Sequence, residues 1–279
     1  MSTQKVWLVT GASKGLGLTL VKKLLQQGYA VAATSRTLDA LHTEISGQTA
    51  SFLPLQVDLV NEQSVVAAIA ETIRTFGNID VVVNNAGYGQ IGTLEELSDA
   101  EARQNFDINV FGSLNVIRAV MPHLREQRSG VIFNISSVGG FTGNFPGWGI
   151  YCATKFAMAG FTESLAAEAK SFGISATVVY PGYFRTEFLS KGSLSTPKKE
   201  IEAYAEAREL QRLHEEQIRG NQPGDPEKAA EVLIEVANSA NPPLHLFLGA
   251  DAYNMAKAKI DSVKQDLDAV EALATATGF

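Results

Sequence analysis

Tyr151 and Lys155 lie four residues apart in Tyr151-Cys152-Ala153-Thr154-Lys155, and Ser137 stands fourteen residues before the tyrosine. Residues at i and i+4 share one helix face, so a phenol and an ammonium at this spacing can enter one site. A free tyrosine, with a pKa near ~10, exchanges protons poorly at neutral pH, and a neighbouring cation stabilises its phenolate. The chemistry implied is general acid–base catalysis by a tuned tyrosine. The chain contains the pattern twice, however, because Ser239, Tyr253 and Lys257 repeat it. Spacing alone does not choose between the two sets.

The elements that must position these residues do choose. Apolar runs at about 5–10, 29–34, 51–57, 79–84, 130–136, 174–180 and 244–248 read as buried strands. Amphipathic stretches separate them; Val65, Ile69, Ile73 and Phe76, for instance, line one face at helical spacing. This alternation predicts an α/β fold, a single doubly wound (Rossmann) parallel sheet of about seven strands with helices on both faces. Ligands of such sheets bind outside the carboxyl ends of the strands. Ser137 follows the run Val131 to Ile135 and so lies at a carboxyl end, and Tyr151 and Lys155 open the next helix. Ser239 instead precedes the run Leu244 to Leu248, at the opposite edge, and Tyr253 and Lys257 begin a tail helix beyond the last strand. Strand polarity selects the first set and leaves Tyr253 as a packing residue.

The first strand ends in Thr10-Gly11-Ala12-Ser13-Lys14-Gly15-Leu16-Gly17, followed by a helical run from Leu18 to Gln27. A glycine turn between strand and helix lets backbone approach a pyrophosphate, and the helix N-terminus offers it free N–H groups. A carboxylate about 20 residues further on would select NAD by bonding the ribose 2′-OH. Here the second strand ends in Thr34-Ser35-Arg36. The Arg36 guanidinium suits a 2′-phosphate, and Lys14 could add a second cation, so NADP(H) is the expected cofactor. Arg36 could also be a solvated charge at a helix start.

With 279 residues, 45% of them hydrophobic, the chain has material for one large domain spanning 1–279. Its net charge of −7 argues against a nucleic-acid surface. No apolar run approaches the roughly 18 residues needed to span a bilayer, which argues against a membrane partner. One cysteine, Cys152, and the lack of a secretory signal point to a reducing cytoplasm. His42, His123, His214 and His245 lie far apart, so no metal site is expected and exposed or capping roles suit them. Cys152 reads as filler beside the tyrosine. Two regions break the alternation. A polar insertion over 183–222, helical around Ile201 to Ile218, reads as a lid or binding loop. The extension over 251–279 carries Ala256, Ile260, Val263, Leu267 and Val270 as one stripe of an amphipathic C-terminal helix, docked on its own domain or on another subunit. Tyr88, Phe145, Trp148, Tyr183, Phe184 and Phe188 suggest an apolar substrate site, although each could equally be plain packing.

Over roughly residues 5–250 the chain resembles the non-extended short-chain dehydrogenases/reductases. The motifs that carry the resemblance are the 10–17 glycine turn, Asn84-Asn85-Ala86-Gly87, Asn109, Asn134-Ile135-Ser136-Ser137, Tyr151 to Lys155, and Pro181-Gly182. The resemblance implies an NADP(H)-dependent oxidoreductase acting on a small-molecule carbonyl or alcohol. Tyr151 would be its general acid or base, Lys155 would lower the tyrosine pKa and hold the nicotinamide ribose, and Ser137 would polarise the substrate oxygen. Ser136 is the rival of Ser137, but the family places the catalytic serine second in the pair. Asn109 would anchor a proton-relay water. Cofactor contacts would come from Gly11, Ser13, Lys14, Gly15, Leu16, Gly17, Ser35, Arg36, Asp58, Leu59, Asn85, Ala86, Gly87, Tyr151, Lys155, Pro181, Gly182 and Thr186. Asp58 also reads as a helix cap or turn carboxylate. Family members commonly have one residue fewer between serine and tyrosine, so that loop is expected to bulge. The family also implies a homodimer or higher homo-oligomer, through helices around 100–127 and 151–172. Rival readings are a nucleotide-sugar epimerase or dehydratase, and a non-catalytic NADP-sensing module on the same fold.

Overall fold

The computed structural model describes residues 5–45, 50–190 and 192–279. From the N-terminus the elements are β1 (Val6–Val9), α1 (Gly15–Gln26), β2 (Ala30–Ser35), α2 (Leu38–Glu44), β3 (Phe52–Gln56) and α3 (Glu62–Phe76). Next come β4 (Val81–Asn84), β5 (Gly89–Gln90), α4 (Asp99–Phe106), α5 (Gly112–Gln127), β6 (Gly130–Ile135) and α6 (Gly149–Ala169). The rest comprises β7 (Ile174–Pro181), β8 (Leu194–Ser195), α7 (Ala205–Arg212), α8 (Pro226–Asn238), β9 (His245–Leu248) and α9 (Ala250–Ala274).

Seven strands form one all-parallel sheet in the order β3-β2-β1-β4-β6-β7-β9. Side chains alternate across a strand, which divides the core into two layers. Trp7 and Val9 pack with Leu20, Leu24 and Leu233 of α1 and α8 on one face. Leu8, between them, packs with Val65, Val120 and Leu165 of α3, α5 and α6 on the other. The central strands β1, β2 and β4 are therefore buried on both faces, which is why these segments are continuously apolar rather than alternating. The predicted α3 stripe holds, with Val65 and Ile69 buried and Ile73 and Phe76 packed against the same core. The strand order reverses between β1 and β4, which opens the crevice where ligands of such sheets bind.

A buried amide chain fixes α6 to the sheet. Asn84 Nδ2 donates to Asn134 Oδ1 at 2.8 Å, Asn134 Nδ2 donates to Thr162 Oγ1 at 2.9 Å, and Thr162 Oγ1 donates to Met158 O at 2.6 Å. Buried amides must be paired, so this ladder specifies how α6 sits on β4 and β6. Between α4 and α5 the chain makes one π-helical turn, Asp107–Phe111, a feature common at functional sites.

The 183–222 segment folds back over the sheet edge and is strapped there. β8 pairs with β5, Gly89 opposite Leu194. The Glu96 carboxylate, fully buried, accepts the Ile201 N–H at 2.7 Å and Arg208 Nη2 at 2.7 Å. Glu101 completes a capping box with Ser98 and also accepts the Lys198 N–H at 3.1 Å. The expected helix near 201–218 is α7 followed by a π-helical turn, Leu213–Ile218.

The tail departs from one of its two expected dockings. Only Ala252 and Ala256 of α9 are buried, while Ile260, Val263, Leu267 and Val270 are 55%, 39%, 64% and 48% exposed. The helix rests on its own domain over its first two turns and then runs past it. Among the described residues no helix is long and apolar enough to cross a membrane.

Candidate active site

Where β1 and β4 diverge, the glycine turn rises into α1. Gly11 and Gly15 adopt φ of +64° and +58°, the left-handed region that favours glycine. A Cβ on Gly11 would lie 2.7 Å from Ala86 Cα, so the turn can only pack against the Asn84-to-Gly87 segment as glycine. Asn85 holds it there, donating from Nδ2 to Thr10 O at 3.0 Å and Gly11 O at 3.1 Å. A Cβ on Gly17 would collide with that same amide. No side chain caps α1, so its first N–H groups face outward with the positive end of the helix dipole.

These groups line one end of a cleft of about 870 Å³ at the carboxyl edge of the sheet. Nearly all the expected site residues converge on it: Gly11, Ser13, Lys14, Gly15, Leu16, Ser35, Arg36, Asp58, Leu59, Asn85, Ala86, Gly87, Ser137, Tyr151, Lys155, Pro181, Gly182 and Thr186. Gly17 and Asn109 lie behind the lining residues. Asn109 Nδ2 donates to Tyr88 O at 3.0 Å and Thr154 Oγ1 at 3.1 Å, and its Oδ1 accepts the Tyr88 N–H. A Cβ on Gly87 would lie 3.0 Å from that Oδ1 and 3.5 Å from Lys155 Nζ, so the absence of a side chain there leaves the lysine room. Asp58 takes the turn role as well, its Oδ1 accepting the Val60 N–H at 3.1 Å. Lys14 reaches the opposite rim, where Nζ donates to Gly192 O at 3.0 Å and ties the glycine turn to the 183–222 segment. Arg36 is exposed on the wall and, among the described residues, makes no ion pair.

At the other end stand Ser137, Tyr151 and Lys155. Ser137 Oγ accepts the Gly139 N–H at 3.1 Å and hydrogen-bonds Tyr151. Ser136 is spent elsewhere: its hydroxyl donates to Lys155 O at 2.8 Å, behind the site. Lys155 Nζ donates to Ile135 O at 2.8 Å and lies 5.8 Å from the centre of the Tyr151 ring. Burial pulls the lysine pKa down to about 8. Burial also pushes the Tyr151 phenol far above the ordinary tyrosine range, against the pull of its hydrogen bond with Ser137. The lysine is close enough to help hold a phenolate, but in this arrangement desolvation dominates the tyrosine. Past Ser137 the chain makes a 3-10 turn, Val138–Gly140, before reaching α6.

The six aromatic residues expected near the substrate, Tyr88, Phe145, Trp148, Tyr183, Phe184 and Phe188, all line the cleft. Trp148 meets Tyr151 edge-on at 5.5 Å and Phe188 lies tilted at 5.8 Å. Cys152 is buried beside them, its thiol pushed up to about 11 by desolvation, which suits the expected inert role.

His214 is a correction. It is neither exposed nor a cap but 3% exposed, in the cleft wall. Its Nδ1 faces Leu210 O at 2.7 Å and its Nε2 faces Tyr183 Oη at 2.9 Å. Proton on Nδ1 satisfies both contacts, since the carbonyl can only accept and the phenol then donates. Burial lowers its pKa, which keeps it neutral. Its position on a charge-rich helix concealed this from the sequence. The Glu96 and Glu101 straps were equally hidden, although Ser98-Asp99-Ala100-Glu101 shows a capping-box pattern. The rival set stays apart: Tyr253 is 55% exposed, and Ser239 lies exposed ahead of the amino end of β9.

Residues 5–195 match the short chain dehydrogenase family. A 3-ketodihydrosphingosine reductase of Bacteroides thetaiotaomicron is 35% identical over 247 residues, covering 88% of each chain. A crystal structure of a short-chain dehydrogenase from Streptomyces avermitilis superposes with a TM-score of 0.91 at 34% identity, covering all of both chains. The structure of ElxO with NADP bound gives a TM-score of 0.74 at 26% identity, over 90% of this chain and 99% of that one.

Proposed function

The chain belongs to the short-chain dehydrogenase family, and on that premise we propose that it is an NADP(H)-dependent oxidoreductase interconverting an apolar carbonyl compound and its alcohol. The observation that carries this reading is the meeting of Ser137, Tyr151 and Lys155 at one end of a cleft whose other end is an uncapped helix N-terminus.

The cleft fits the cofactor. Gly11 and Gly15 leave backbone rather than side chain facing it, the first turn of α1 offers donors to a pyrophosphate, and Pro181, Gly182 and Thr186 would hold the nicotinamide end. Arg36 has a guanidinium free to pair with a 2′-phosphate, which supports NADP(H) over NAD(H). ElxO, a structural relative, binds NADP in its solved form. When bound, the nicotinamide supplies or takes up hydride.

The side chains manage the proton and the charge. In the reducing direction the substrate oxygen sits between Ser137 Oγ and Tyr151 Oη. Ser137 donates a hydrogen bond as negative charge builds there, a contribution of about 3 kcal/mol. Tyr151 delivers its proton to that oxygen, and the raised phenol pKa means that it is fully protonated and ready as an acid. Lys155, held by Ile135 O, offsets the charge left on the tyrosine. The aromatic wall excludes water and favours an uncharged, hydrophobic carbonyl compound.

Purified protein should oxidise NADPH in the presence of hydrophobic ketones or aldehydes. Tyr151→Phe should abolish turnover and retain NADPH binding, whereas Tyr253→Phe should leave turnover unchanged. A matching loss in both variants would refute the assignment.

A further inference from the structure

The C-terminal half of α9 presents an apolar stripe without an intramolecular partner among the described residues. Ile260, Val263, Leu267 and Val270 step by three and four, the a and d spacing of a helix that packs along another helix. They are 39–64% exposed, and Leu273 beside them is 79% exposed. The helix is nevertheless well anchored at its start. Ala252 and Ala256 are buried, and the Asp251 carboxylate accepts the Tyr183 N–H at 2.7 Å. A preformed, tethered helix has already met the ordering cost that makes short free helices weak binders.

The charges beside the stripe indicate what covers it. With Ile260 and Leu267 at a, and Val263 and Val270 at d, the flanking e and g positions are Lys257, Lys259, Lys264, Asp266 and Glu271. The lysines occupy the first half and the carboxylates the second. None of the five makes an ion pair among the described residues. Two copies side by side in parallel would set Lys259 against Lys264 and Asp266 against Glu271, like charge on like. Turned antiparallel with Glu271 of each helix beside Lys264 of the other, the flanks set opposite charges together twice by the two-fold and no like charges face each other. The stagger that would set Glu271 on Lys257 is excluded because it sets Lys264 against its own copy.

We propose that this face is a two-fold, antiparallel interface between the α9 helices of two copies of the chain. It is separate from α4, α5 and α6 and adds one round of association to any contact made there. The contact is isologous, so it buries the stripe in pairs and by itself goes no further than two copies.

Sedimentation equilibrium of the full chain tests this. Leu267→Glu with Val270→Glu, both exposed positions, should halve the mass. Glu271→Lys should also lower it, and adding Lys264→Glu to that variant should restore it, because the reversed flanks complement again. Unchanged mass in the Leu267/Val270 variant overturns the interface, and failure of either charge step overturns the antiparallel pairing. Co-pelleting of the full chain with phosphatidylglycerol vesicles, lost in the Leu267/Val270 variant without any change in mass, would overturn it in favour of a lipid surface.

Discussion

Cofactor choice rests on one side chain. Arg36 lies exposed on the cleft wall at the end of β2, with no ion pair among the described residues, so removing it should leave the fold untouched. A charge-assisted hydrogen bond contributes about 1.5–3 kcal/mol when desolvated. At an exposed rim, solvent screening keeps it to the lower end of that range. Arg36→Ala should therefore weaken NADPH binding about 10- to 30-fold at low salt and leave NADH binding within about twofold. Fluorescence titration of both nucleotides at several ionic strengths measures this, and the salt dependence of NADPH binding should flatten as one phosphate contact disappears. Lys14→Ala serves as the contrast. Its ammonium is engaged with Gly192 O, so its loss should weaken both nucleotides alike. Equal weakening of NADPH and NADH by Arg36→Ala would refute the reasoning, since the guanidinium would then act on a group that both cofactors share.

The two serines should separate cleanly. Ser137→Ala should lower kcat about 100- to 1,000-fold, whereas Ser136→Ala should lower Tm, because its hydroxyl supports the α6 backbone at Lys155 O, and change kcat far less. Lys155 should leave a signature in stability against pH. Its folded pKa of about 8 lies below the ordinary lysine value of 10.5, so the unfolded chain binds more protons between those values. The buried ammonium is thus a cost at pH 7 that is relieved as pH rises from about 8, and urea unfolding without added nucleotide should show stability rising from pH 7.5 to 9, above which the raised Cys152 thiol pulls the other way. Lys155→Met should flatten that rise; an unchanged slope would mean that another group titrates. Glu96→Ala removes one of the two carboxylates that pair with the partly buried Arg208, which keeps Glu200, and frees the Ile201 N–H, a loss of about 1–3 kcal/mol. Proteolysis of this variant should cut first within 196–222, and cutting elsewhere would show that the strap is not what holds the segment.

How much of this was legible beforehand depends on distance along the chain. The seven strands, the glycine turn and the placing of Tyr151 rather than Tyr253 at the cleft all follow from local pattern and strand polarity. So did the six aromatics, because they flank residues already placed at the carboxyl edge. What the sequence concealed were partnerships between remote segments. Lys14 meets Gly192, 178 positions away, and Tyr183 meets His214 across a segment whose polar composition resembles a solvated surface. Ser136 and Ser137 are adjacent, and only the backbone course after β6 shows which hydroxyl is already engaged. The α9 stripe was visible as a pattern, but whether a body lies against it is a three-dimensional question.

The bond from the Tyr183 N–H to Asp251 makes α9 more than an appendage. One carboxylate joins the start of the helix to the peptide that follows Pro181 and Gly182, and Tyr183 in turn holds His214 on the far side of the cleft. A Cβ on Gly182 would strike that carboxylate, so the two segments share a contact with no slack. Pocket and helix are consequently two handles on one lever. If capturing α9 changes the affinity of the pocket, thermodynamic reciprocity requires that filling the pocket change the capture of α9 by the same factor.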